Sequence, residues 1–253
     1  MKMNKSVQIL NIDILNVEKG LALKQLTKGV VFTPNVDHLV NLQKDLEFYE
    51  AYCNAEYKLL DSRVVYFFYY FTKNRIVEKI SGVDLFPEYC ECHANDSTKT
   101  IFLLGGLDEA VHLAAKEINN RVGRKMVVGS ISGRKGFETD ESACLEIVKA
   151  INASGATILA VGIGSPRQEK WINKYRGMLP AVELLFAVGG TFDILSGKKK
   201  RAPVIFQFAG LEWLYRLSKE PRRLFSRYII NDSTFVYYYL LECFHMYKNP
   251  FSD

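Results

Sequence analysis

The stretch ATILAVGIGSP, Ala156 to Pro166, runs from aliphatic and β-branched residues into a glycine pair and a proline, and the helix-forming RQEKWI follows. An unbroken apolar run of this length predicts a strand buried on both faces, and the glycines let the chain turn closely out of it. Five further stretches have the same shape: VVFTPN, YKLLDS, TIFLLGG, KMVVGSISG and VELLFAVGGTFD. Amphipathic segments separate several of them. Leu107 to Arg121 sets Ala110, Leu113, Ala114 and Ile118 on one stripe, and Asp140 to Ala150 does so with Ala143, Ile147 and Ala150. Buried strands alternating with such helices predict right-handed βαβ units around a parallel sheet. The expected fold is therefore α/β, a parallel sheet of Rossmann-like βαβ units flanked by helices.

Beyond Lys198 the texture changes to interleaved arginines and aromatics, WLYRLSKEPRRLFSRYII and then FVYYYLLECFHMY. Helix is expected there, broken at Pro221, so residues 1–203 read as the catalytic domain and 204–253 as a basic, aromatic helical C-terminal appendage. From Lys198 to Arg227 nine basic residues face two acidic ones, a local +7 in a chain of net +5. That asymmetry calls for an anionic partner such as phosphate, anionic lipid or nucleic acid.

The 253 residues, 48% of them hydrophobic, suffice for a sizeable core. Five scattered cysteines argue against a secreted disulfide framework and for a reducing, cytoplasmic setting. MKMNKSVQILNIDILNV has no signal-peptide layout, and the longest apolar run, Val64 to Phe71, is far short of the roughly 20 residues that span a bilayer. Any membrane contact is expected to be peripheral.

Ligands of an open parallel sheet bind beyond the carboxyl ends of its strands. The residues there are Thr33, Pro34, Asn35, Asp37 and His38; then Asp61, Ser62 and Arg63; then Ser165 to Glu169. No GxxxxGK[ST], no GxGxxG opening a helix after the first strand and no D-x-D pair is present, and CECH at Cys90 to His93 lacks a second ligand pair, so neither a P-loop, a classical dinucleotide fold nor a metal site is expected.

The ordered set TPNVDHLV, LLDSRVV, SGVDLFPE, FLLGG, VGIGSPRQEKWI, AVGGTFDILSGKKKRAP and GLEWLYRLSKEPRRLFSRY, spanning about Val7 to Tyr228, closely resembles the WecG/TagA/CpsF glycosyltransferase family. The resemblance implies an inverting transferase that passes N-acetylmannosamine or a related sugar from UDP to an undecaprenyl-diphosphate-linked acceptor, for teichoic acid, common antigen or capsule. It implies the inner membrane face as location, no cofactor, no nucleic acid, and leaves a homo-oligomer open. Asp61 matches the family's proposed catalytic aspartate, a base for the acceptor hydroxyl; the alternative is that it caps the following helix. Thr33 and Asn35 match residues of the same pocket, or serve as helix-entry turn residues. For the donor the choices are Gly162, Gly164, Arg167, Gln168 and Asp193, with Glu169 behind them. Arg216, Arg222 and Arg223 are carried over as groups that reach a diphosphate or the membrane, while Trp171 and Ile172 read as core. Where the family has glycine after the aspartate, this chain has Ser62 and Arg63 before an aromatic YFFYYF. A non-catalytic nucleotide or nucleic-acid binder using the basic tail is the competing reading.

Overall fold

A computed structural model describes residues 6–72, 76–106, 108–134 and 136–252. The six stretches read as strands form one parallel sheet. After an N-terminal antiparallel hairpin of β1 (Ser6–Ile9) and β2 (Ile12–Leu15), the sheet strands are β3 (Gly29–Phe32), β4 (Tyr57–Lys58), β5 (Ile101–Gly105), β6 (Val127–Ile131), β7 (Ile158–Gly162) and β8 (Leu184–Ala187), in the order β4-β3-β8-β7-β5-β6. β5, β7, β8 and β3 are buried along their whole length, as a central parallel strand covered on both faces must be. Edge strand β6 is buried only at its first residue. The hairpin was not foreseen. Its alternation of buried Val7, Ile9, Ile12 and Ile14 with polar residues is half-buried strand patterning, and Leu10 turns it with φ +53°.

Alternate residues of each central strand face two cores. Leu159 and Val161 of β7 meet the helices Val36–Asn41, Leu46–Cys53, Glu141–Ser154 and Arg167–Tyr175; Ile158 and Ala160 meet Lys19–Gln25, Gly82–Cys92, Asp108–Val122 and Thr191–Leu195. The helix after β5 thus lies on one face and the helix after β7 on the other, so the crevice of this doubly wound sheet opens between these neighbours. Glycine permits their close approach there. A Cβ on Gly105, at φ +104°, would lie 2.6–2.7 Å from Ile163 and the Gly162 backbone, and one on Gly162 2.8 Å from Phe192.

Two helix stripes need correction. In Asp108–Val122 the buried set is Ala110, Val111, Ala114 and Ile118, while Leu113 is 44% exposed and Leu107 lies outside the described residues. In Glu141–Ser154, capped by Asp140, the buried set is Cys144, Ile147, Val148 and Ile151. Each stripe is rotated from the expected one because the helix packs with its β-branched side chains down.

The C-terminal region has two characters. Val204–Phe208, Glu212–Lys219, Pro221–Phe225 and a π-helical turn at Ser226–Asn231 carry many exposed apolar side chains, with Ile205 73% and Phe208 74% exposed. Pro221 begins a new helix, as expected. Thr234–Cys243 instead sends Phe235 and Tyr239 into the main core beside Phe68 and Tyr69.

Candidate active site

Asp61 follows β4 at the sheet's carboxyl edge. Its backbone N–H donates to Pro34 O at 2.8 Å, tying it to the loop after β3 that carries Thr33 and Asn35. The helix that follows Asp61 is capped by Ser62, whose Oγ accepts from Val65 N at 3.2 Å. The Asp61 Oδ2 instead accepts the Gly82 N–H at 3.2 Å, at the start of a helix on the other side of the sheet, with Ser81 Oγ at 3.5 Å. Thr33 converges on the same glycine, since a Cβ there would meet Thr33 Oγ1 at 2.6 Å. Lys79 Nζ lies 3.8 Å from Asp61 Oδ1. Desolvation raises the Asp61 pKa against the lowering effect of Lys79; Glu212 raises it further, and the Gly82 N–H and Arg216 oppose it. The result is a carboxylate of enhanced basicity whose side chain is still 24% exposed.

Asn35 caps the helix Val36–Asn41, accepting from His38 N at 3.2 Å. His38 is buried neutral, its pKa lowered to about 3 by desolvation and then by Arg227, and its ring shares a 2.6 Å hydrogen bond with Tyr52 OH. Asp37 receives Arg227 at 3.0 Å and Asn231 Nδ2 at 3.1 Å, so it anchors the C-terminal region rather than opening to the crevice.

The loop after β7 is held from within. Gln168, 4% exposed, accepts on Oε1 from Gly164 N at 3.3 Å and from Gly189 N at 3.1 Å, joining the loops after β7 and β8. The Gly164 N–H, on a residue chosen for the donor, is therefore committed to a side chain. Arg167 is exposed and turns to Glu138 at 2.7 Å and to Ile163 O. Asp193 pairs with Lys199 at 3.4 Å. Gly162 does packing work beneath Phe192.

Arg216 is the appendage arginine brought into the field of Asp61; it donates to Glu212 Oε1 at 2.6 Å. Arg222 is exposed on the next helix, and the side chain of Arg223 lies outside the described residues. Sequence reading missed Lys79, Glu212 and the bidentate pair of Arg201 with Asp84, whose second contact is 2.8 Å. Arg201 also feels Glu212 and Asp61. Asp84 and Arg201 lie in the quoted SGVDLFPE and KKKRAP segments, so the signal was present. Lys79 sits outside any recognisable pattern. Arg63, which follows Ser62 where the family has glycine after the aspartate, lies 5.7, 5.9 and 5.7 Å from the ring centres of Tyr66, Phe67 and Phe208 and so fastens the appendage to the helix after Asp61. Among the described residues no group of three or more His, Cys, Asp or Glu side chains could hold a metal ion.

The doubly wound parallel sheet defines the class, an α/β protein that carries a carboxylate among cations at its carboxyl edge. Residues 7–249 match the model of the glycosyl transferase WecG/TagA/CpsF family, and the chain belongs to that family. It is a glycosyltransferase, acting on a sugar donor and an acceptor.

Proposed function

We propose that the chain transfers N-acetylmannosamine or a related hexose derivative, with inversion, from a UDP-sugar to an undecaprenyl-diphosphate-linked sugar at the inner face of the cell membrane. The observation that carries this reading is Asp61, desolvated yet accessible, with Lys79, Arg201 and Arg216 in its field. Asp61 takes the proton of the acceptor hydroxyl as that oxygen attacks the anomeric carbon, and the bond from that carbon to the UDP oxygen breaks. The cations offset the charge that develops on the leaving diphosphate, and Thr33 lines the same corner. Since side chains serve in that role, EDTA is expected to leave turnover nearly intact; loss of activity restored by magnesium or manganese would refute it.

Peripheral docking rests on the exposed Val204, Ile205, Phe208, Phe225 and Ile230 beside the basic segment. Among the described residues no helix is long and apolar enough to cross a membrane. The nucleic-acid reading loses support because Phe235 and Tyr239, two of the tail's aromatics, are core residues. A panel of nucleotide-sugars with a short-chain prenyl-diphosphate-sugar acceptor, read by mass, tests the proposal. One UDP-sugar should give an acceptor heavier by one sugar, and transfer to no lipid-linked acceptor would overturn it.

A further inference from the structure

We propose that Glu169 is a positioning residue that holds the Gln168 amide in the one orientation able to clamp the loops after β7 and β8, and so shapes the donor crevice. The link of that crevice to the donor rests on the placing of Gly164 and Gln168 at the donor from the sequence; the clamp itself does not.

The geometry is specific. Gln168 Oε1 accepts two backbone N–H groups, those of Gly164 and Gly189, which lie on neighbouring loops. A side-chain amide turned over would set its NH2 against both donors, so the clamp exists in one orientation only. Gln168 Nε2 donates to Glu169 Oε1 at 2.9 Å, which selects that orientation. Both side chains are buried, at 4% and 1% exposure. Here a polar group without its partner costs most, so the pair is not incidental packing.

Glu169 is otherwise expensive to keep. Burial pushes its carboxyl up to about 7, with the Gln168 amide the largest opposing influence. Its Oε2 makes no hydrogen bond; the Ser165 hydroxyl, close enough to favour the ionised form, makes none of good geometry either. Packing alone would be served by leucine or methionine. What an apolar residue cannot supply is the acceptor for Nε2. The two strands involved, β7 and β8, are hydrogen-bonded neighbours, and β7 borders the crevice shared with β5. Releasing the amide therefore frees two loops at the mouth at once.

The test compares Gln168→Leu, Glu169→Leu, the double variant and Glu169→Gln. The first readout is amide exchange at Gly164 and Gly189 in the ligand-free protein, which needs no substrate and survives failure of the donor assignment. Both amides should exchange faster in Glu169→Leu as in Gln168→Leu, and at the wild-type rate in Glu169→Gln, whose amide oxygen still accepts from Nε2. The second readout is kinetic. Each leucine variant should raise the donor KM about tenfold with kcat changed much less, and the double variant should be no worse than Gln168→Leu. Unchanged exchange in Glu169→Leu, additive effects, or a Glu169→Gln that behaves like the leucine variant would each overturn the proposal. If Glu169→Leu does not fold, Glu169→Met decides. It keeps the volume and removes only the acceptor for Nε2, so wild-type exchange in it refutes the role of Glu169 and accelerated exchange supports it.

Discussion

Asp61 is held by a backbone N–H from across the sheet and watched by one lysine at 3.8 Å, an arrangement that keeps it basic without sealing it from an acceptor. Asp61→Asn preserves the shape and the Gly82 hydrogen bond but cannot take a proton. It should lower kcat by on the order of 10² or more with UDP affinity little changed, as steady-state rates and calorimetry would show. Near wild-type turnover would leave Asp61 as the anchor of the Gly82 helix and nothing else. Because its pKa is raised, the acid limb of kcat/KM should lie above the ordinary aspartate range, activity falling as pH drops through it. The sequence pointed to Asp61 through its position after a strand, and it also left open a capping role. The structure divides that question between two residues, since Ser62 caps the next helix and Asp61 reaches a different one. Such a contact, between residues twenty-one apart on opposite faces of a sheet, has no local signature. Lys79 was illegible for the same reason, whereas Arg201 and Asp84 sat in quoted motifs and lacked only the pairing that brings them together.

At the level of elements, the strands were legible because a central parallel strand is apolar on both faces and glycine marks its exit. The helix faces were less so, since Leu113 and Val111 compete for one stripe and only the sheet decides between them. The C-terminal helices looked uniform in sequence, yet they divide into a segment that fills the core and one that rests on it. The resting segment is fastened by Arg63 against Phe208 and by Arg227 against Asp37. Arg227→Ala removes the cation between Asp37 and Asp232, whose charges already oppose each other. Limited proteolysis read by mass should then cut faster within residues 204–230 while Thr234–Cys243 stays protected. Equal sensitivity of both segments, or of neither, would contradict this division.

Across the whole molecule, truncation before the appendage is a poor probe of membrane docking, because it would also remove Phe235 and Tyr239 from the core. Val204→Ser with Ile205→Ser is cleaner, since both side chains are largely exposed. Sedimentation with anionic vesicles should fall severalfold, with thermal stability within about 0.5 kcal/mol of wild type as for surface changes; unchanged sedimentation would remove the apolar contribution. Stability should also depend on pH in a defined sense. Glu169 and Asp232 are each raised to about 7 from 4.5 and 3.8, so within that window the folded protein holds protons the unfolded chain has released. The contribution of these two carboxyls is fully present at the acid side and is lost as pH rises toward 7, against the opposite contribution of neutral His38, whose pKa is lowered to about 3; Glu169→Gln should therefore remove part of the falling contribution in a melting series. The hairpin and the helix after Asp61 meet Glu242, which accepts from Leu10 N at 3.3 Å and from Tyr69 OH. The sixth sheet strand ends at Ala187, long before Glu242 is made. During synthesis the sheet can therefore close around an unfilled seam, which stays open until the late helix emerges and seals the earliest part of the fold.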